Sequence, residues 1–296
     1  MRFVDAHHHL WDLNHCHYPW LMERGVKRFF GDPTPIQKNY LAADFLSEDD
    51  AWKPDKSVHI QVGVQESDSL EESRWLQGVS DSESSGVPNA IVAFTDLSAV
   101  DVQQQLDLQS SIPNVRGIRQ IIGRHPVEDL QHGTDSLLGD TRFQAGLSLL
   151  DRIGLSFDLQ LIPPQYEVAF RVFSTLPKLK VAICHCGSPW NQDSAGLEHW
   201  RNGMKNFARL PNVHCKVSGL GMFRHDWSVE DIRPLVLDTI EIFGTDRVMF
   251  GSNFPVDSLY NPYSQTWSAY DEITQGFSDS EKNRLFAANA EEFYRI

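Results

Sequence analysis

Eight short runs rich in β-branched and aromatic residues recur along the chain, separated by longer stretches of helical period. The runs are RFVDAHH, SVHIQVGV, AIVAFTDL, VRGIRQII, LSFDLQL, KVAICHC, VHCKVSGL and RVMFGSN. Between them the spacing predicts helices over about 69–84, 99–111, 140–153, 165–176, 192–209 and 229–243. A last helix, near 279–294, opens where Ser278 and Glu281 have capping-box spacing. Strands that alternate with helices pair in parallel through right-handed crossovers, and eight of them close a barrel. The expected fold is therefore a single-domain α/β protein, a (β/α)8 barrel spanning residues 1–296. An open doubly wound sheet competes, but no G-x-G-x-x-G follows any strand.

One connection is long. Residues 14–56 follow the first strand and carry YPWL and FFGDPTP. Loops of that length are usually lids or linkers, and the aromatics here favour an ordered lid.

In such a barrel the reacting groups sit at the C-terminal ends of strands, and alternate strand residues face opposite ways. Five of the 12 histidines lie between His7 and His17. His7 and His9 share one face at the end of the first strand, and His8 faces the other way. His15 and His17 fall in the loop. His185 ends strand six, where counting places it with Val181 and Ile183 and turns Cys184 and Cys186 toward the helices. Asp158 and Gln160 end strand five. His214, Lys216 and Ser218 share a face of strand seven, and Asn253 ends strand eight. Arg119 closes strand four, with Arg116 and Arg124 near it. Buried charges are costly unless paired or bound, so polar groups gathered at strand ends point to a site. Each has a plainer reading: a lone strand-end histidine is more often merely hydrogen-bonded, and Lys216 could equally be a solvated rim charge. Two imidazoles at i and i+2, with a third across the barrel, can ligate one divalent ion such as zinc or manganese.

Composition narrows the ligand. With 26 basic against 40 acidic residues the net charge is −14, which disfavours nucleic acid as a partner. Arginines gathered locally can still hold an anionic small molecule. Four cysteines in 296 residues make no disulfide framework. No apolar run approaches the roughly 20 residues needed to span a bilayer, and MRFVDAHHH has no signal-peptide core. The expected location is cytoplasmic.

VDAHHHLWD, YPWL, GIRQ, ICHCGSPW, VHCKVSGL, MFGSNFPVD and NAEEFYRI together resemble the amidohydrolase superfamily, and within it the amidohydrolase-2 branch of pyrone-dicarboxylate and sugar lactonases. These motifs span residues 3 to 296. The resemblance implies a (β/α)8 barrel and a hydrolase acting on a small cyclic ester. It places His7, His9 and His185 at the metal or carbonyl-polarising positions, since some lactonases of the branch work without a firmly bound metal. It also gives Arg119, then Arg124, the substrate's anionic end. Gln160, Lys216 and Trp190 are further expected substrate contacts, and Tyr260, Tyr263 and Trp267 are candidate pocket aromatics. One position departs from the pattern: the strand-eight motif is usually G-S-D-W-P, and here it reads GSNFP, with Asn253 where the family has Asp. An amide cannot take a proton from water. Asp257 could supply the carboxylate, or simply cap its loop. His185 or a group of the substrate could be the base instead. The remaining readings are a metal-dependent decarboxylase or lyase, and a non-catalytic barrel that binds a metabolite.

Overall fold

The computed structural model describes residues 2–82 and 86–296. Eight strands form one sheet in chain order: β1 (Val4–His8), β2 (Lys56–Ile60), β3 (Ala90–Ala93), β4 (Val115–Ile118), β5 (Ser156–Leu159), β6 (Val181–Ile183), β7 (Val213–Val217) and β8 (Val248–Phe250). Every neighbouring pair is parallel. The ring closes just beyond β8, where Asn253 N–H donates to the His7 carbonyl and His9 N–H donates to the Phe254 carbonyl, each at 2.7 Å. The expected barrel is the observed one. The helix expected over 69–84 runs Ser69–Ser82, and its expected end lies outside the described residues.

Two apolar layers hold the barrel. Inside it Val4, Ala6, Val58, Ile60, Val92 and Met249 pack together. The opposite strand faces, among them Val181, Ile183, Val213 and Val217, pack against the helices. The final helical run is continuous through a π turn at Arg284–Ala288 and ends in Asn289–Tyr294. Ser278 caps its start, with Glu281 reaching back to the Ser278 N–H at 2.8 Å. Phe293 and Tyr294 join the interior cluster from the N-terminal end of the strands, so the barrel is filled from below.

Residues 14–56 are ordered by aromatic packing. Trp11 and Tyr40 exchange backbone hydrogen bonds at 2.9 and 3.0 Å, and Trp20 Nε1 donates to the Val62 carbonyl at 2.7 Å. Tyr18, Phe30 and Phe45 are buried. Among the described residues no helix is long and apolar enough to cross a membrane.

Candidate active site

Three backbone irregularities build the site. The first is in β1, where three residues oppose two of β2: Asp5 pairs with Ser57, but His8 pairs with His59. Strict alternation from Val4 and Ala6 would bring His8 inward. The bulge reverses it. His7 therefore meets His185 (ring centroids 4.5 Å apart) and His9 (5.2 Å), while His8 stacks on Phe45 at 4.1 Å outside the barrel. The second follows β6: His185, Cys186, Gly187 and Ser188 all have positive φ, at 53, 52, 73 and 60°. Left-handed backbone costs a non-glycine residue roughly 1–2 kcal/mol, and such strain clusters at functional sites. The third is Asn253, at φ 60°.

The run at 185–188 corrects the face assignment made by counting. Val181 and Ile183 face the helices, and Ala182 faces the interior. Cys184 follows Ala182 inward, beside Arg119, Asp158 and Lys216, and only Cys186 packs in the outer layer. His185 reaches the interior because the backbone turns left-handed there, not because it shares a face with Val181.

Above these residues lies a cavity of about 580 Å³. Its floor carries His9, Gln61, Arg119, Gln160, His185 and Asn253. Its walls include Trp20, Arg28, Phe29 and Phe30 from the β1–β2 connection, and Arg124. Of the residues singled out from sequence, His9, Arg119, Arg124, Gln160, His185 and Asn253 come together here. His7 lies against His185 but not on the cavity wall. Lys216 is fully buried below the floor, ion-paired to Asp158, whose two oxygens also accept from Tyr294 Oη at 3.1 and 3.0 Å. Trp190, 38% exposed, sits beside the His125 ring outside the cavity. Tyr263 and Trp267 are buried in the outer layer, with Tyr263 Oη donating to Asp5 at 3.1 Å. Gln61 was not singled out, although it ends β2 as Gln160 ends β5. It donates to the Arg119 carbonyl at 3.1 Å, and Arg119 bonds back to the Gln61 carbonyl and to Gln160 Oε1 at 3.0 Å.

Burial dominates the electrostatics. It pushes His9 down to about 3 and holds His7 and His185 well below the usual histidine range, helped by the charges of Arg119 and Lys216. All three imidazoles are neutral at pH 7. His185 Nδ1 lies 3.0 Å from Ser218 Oγ. Both ring nitrogens of His7 are buried without a partner among the described residues. Burial also pushes Asp257 up to about 7.

Asp257 does not touch the cavity. It is buried behind Asn253, whose Nδ2 donates to Asp257 Oδ1 at 2.8 Å, while Asn253 Oδ1 lies 3.2 Å from His9 Nε2. The far nitrogen of His9, Nδ1, is 2.7 Å from the Ile60 carbonyl. A carbonyl only accepts, so Nδ1 carries the proton and the neutral ring has a bare Nε2. Asn253 can serve both neighbours in two ways. With its NH2 toward an ionised Asp257, His9 needs a second proton. With the amide turned, NH2 donates to His9 Nε2 and the amide oxygen accepts from protonated Asp257. The orientation of one amide is thereby tied to the protonation of a carboxyl the substrate cannot reach.

A neutral imidazole with unpartnered nitrogens is the donor a borderline ion such as zinc takes. Of the three site histidines His7 has both of its nitrogens so, while both of His9's are bonded, to Ile60 and Asn253. No carboxylate joins them, and among the described residues no three His, Cys, Asp or Glu side chains gather as a metal-binding group.

The chain matches the amidohydrolase family over residues 89–296. It is 41% identical to an uncharacterised protein of Sinorhizobium fredii over 294 residues, 99% of this chain and 98% of the other. It is 27% identical to L-fucono-1,5-lactonase of Burkholderia ambifaria over 306 residues, 99% and 95% of the two chains. In fold it is similar to a zinc-bound amidohydrolase from Burkholderia multivorans, with a TM-score of 0.83 and 21% identity over the whole of both chains. By that family match, which covers more than half its length, the chain belongs to the amidohydrolase family.

Proposed function

We propose that the chain hydrolyses a small, anionic or polyhydroxylated cyclic ester, with the lactone ring seated on the floor of the cavity. The observation that carries this reading is the placing of neutral His185 and Asn253 on one cavity floor with the Arg119 guanidinium. The similarity to a protein named L-fucono-1,5-lactonase supports the substrate class.

The residues divide the work as follows. Arg119, whose Nε has no partner among the described residues, and Gln160 hold a ring hydroxyl or carboxylate. Asn253 is fixed by His9 and Asp257 and positions the attacking water. His185 donates Nδ1–H to Ser218 and presents Nε2 to that water. As the water oxygen attacks the carbonyl carbon, its proton passes to His185 Nε2. The growing negative charge on the carbonyl oxygen raises the basicity of the neighbouring imidazole. When the ring C–O bond breaks, the same proton passes to the leaving oxygen. Asp257 acts through Asn253 rather than on the water. A divalent ion, zinc or manganese, would be held by His7, whose ring nitrogens are both without a partner among the described residues, and by His9 Nε2 once Asn253 releases it, leaving His185 for the proton; when bound it would supply carbonyl polarisation and a more acidic water. The 14–56 segment acts as a lid, closing the cavity with Trp20, Phe29 and Phe30.

The test is a panel of sugar and pyrone lactones followed with a pH indicator, with and without added zinc or manganese. His185→Gln should lower kcat about 10²–10⁴-fold. No turnover of any lactone under either condition would overturn the reading.

A further inference from the structure

The two sides of the cavity carry opposite chemistry. In a ring of eight strands in chain order, β3 lies across from β7. His185 follows β6 and Asn253 follows β8, the two neighbours of β7. The residues that follow β3 therefore face them from the opposite side of the mouth, and two of these, Asp96 and Ser98, line the cavity.

Asp96 is held by one oxygen only. Its Oδ1 accepts from the Ser98 N–H at 2.9 Å and from Gln120 Nε2 at 3.0 Å. Gln120 Oε1 accepts in turn from the Leu97 N–H at 2.9 Å. This bridge ties the end of β3 to the end of β4 and fixes the carboxylate. Its Oδ2 has neither a hydrogen bond nor an ion pair among the described residues. Ser98 is 9% exposed, and its Oγ is buried without a partner. A buried hydroxyl left unpaired costs stability, and a ligand that bonds it relieves that cost. Glu66, exposed after β2, lines the same cavity with a second carboxylate that has no ion pair among the described residues. A carboxylate only accepts hydrogen bonds, and a serine hydroxyl can accept as well. This wall therefore suits a donor and repels an anion, the reverse of Arg119.

We infer that Asp96 and Ser98 form a specificity subsite for a hydrogen-bond donor, a hydroxyl or a protonated amine, on the end of the substrate away from its ester carbonyl. The same carboxylate excludes substrates with a second acid group at that end. That the occupant is the substrate rests on the hydrolase reading; the donor subsite itself does not.

Erythritol, which offers hydroxyls only, and Tris, which adds a protonated amine, probe the subsite without turnover when titrated into the full chain by saturation-transfer NMR. One or both should bind the native chain. Tighter binding of Tris marks the amine, and equal or tighter binding of erythritol marks the hydroxyl. Asp96→Asn keeps the oxygen that Ser98 and Gln120 hold and turns the free one into a donor, so binding should weaken about tenfold. Ser98→Ala should also weaken it, with a urea midpoint no lower than the native one. No binding to the native chain, or affinities within twofold of it in either variant, would overturn the subsite. A KM comparison then sets a hydroxylated sugar lactone against a pyrone dicarboxylate lactone, with the inhibition constant in place of KM for one that is not opened. Asp96→Asn should raise the value for the first and lower it for the second, opposed shifts that a general loosening of the fold does not produce. Values unmoved for both, with good turnover, overturn the inference and leave the hydrolase reading intact. Binding that depends on Asp96 in a chain that opens no lactone leaves the subsite standing and overturns the hydrolase.

Discussion

Asn253 Oδ1 lies 3.2 Å from His9 Nε2, across the seam where the barrel closes. The same residue's amide nitrogen reaches Asp257 at 2.8 Å. A neutral amide thus stands between a neutral imidazole and a buried carboxyl whose affinity for its proton is raised. Asn253→Asp would put two carboxyls in hydrogen-bond contact, and like charges that close do not both ionise. The backbone accepts the change, because Asp tolerates positive φ nearly as well as Asn. The variant should retain zinc at least tenfold more tightly by equilibrium dialysis, since it adds an anionic donor beside His9. Equal zinc retention in the two proteins would show that the ion, where it binds, does not approach residue 253.

Ser218 Oγ lies 3.0 Å from His185 Nδ1, as its side-chain hydrogen-bond partner. Removing one such bond costs about 1 kcal/mol, and here it frees the ring rather than the fold. Ser218→Ala should lower kcat about 5–10-fold with KM little changed, and Ser218→Thr should recover most of the loss. A rise in KM at constant kcat would place Ser218 in substrate binding instead.

Much of this site was legible in the sequence because two simple rules held: eight β-rich runs implied a closed barrel, and polar residues at strand ends marked its open mouth. His9, Arg119, Gln160, His185 and Asn253 were found that way, and Gln61 obeys the same rule. What sequence periodicity could not carry was backbone departure from the strand. The β1 bulge and the left-handed run at His185–Ser188 each change which face a residue presents, and no period-2 count registers either. Lys216 was ambiguous for a different reason: a lysine on an inward face reads alike whether it meets solvent or a buried Asp158 on another strand. Asp257 lies one turn past Asn253, and only the fold shows that it sits behind the amide rather than in the cavity.

The Lys216–Asp158 pair is fully buried, with Tyr294 Oη on both carboxylate oxygens. Removing one partner leaves an uncompensated buried charge, which typically costs 3–5 kcal/mol. Lys216→Met should lose about that much in urea denaturation. The double variant Lys216→Met/Asp158→Asn should recover a large part, since both charges are then gone. A double variant less stable than Lys216→Met would mean that Asp158 is held by Tyr294 rather than by the lysine.

Stability should peak near neutral pH, for two opposed reasons. His7, His8, His9, His59, His185 and His214 are all held below the ordinary histidine range, chiefly by burial. The unfolded chain protonates these groups more readily, so their contribution is present above about pH 6.5 and lost as pH falls below it. Burial displaces several carboxyls upward, Asp5 to about 6, Asp257 to about 7 and Glu72 to about 8, with Glu48 and Asp129 also raised. For these the folded state holds the proton more tightly, so stability is lost as pH rises toward each folded value. The buried histidines act on the acid side and the raised carboxyls on the alkaline side, and of Asp5, Asp257 and Glu72 it is Glu72 that still titrates through most of its range above pH 7. Urea midpoints should therefore fall between pH 7 and pH 8.5, and Glu72→Gln should flatten that limb without changing the fall below pH 6.5. A native midpoint that stays level from pH 7 to 8.5 would mean that Glu72 is ionised in the folded protein at neutral pH.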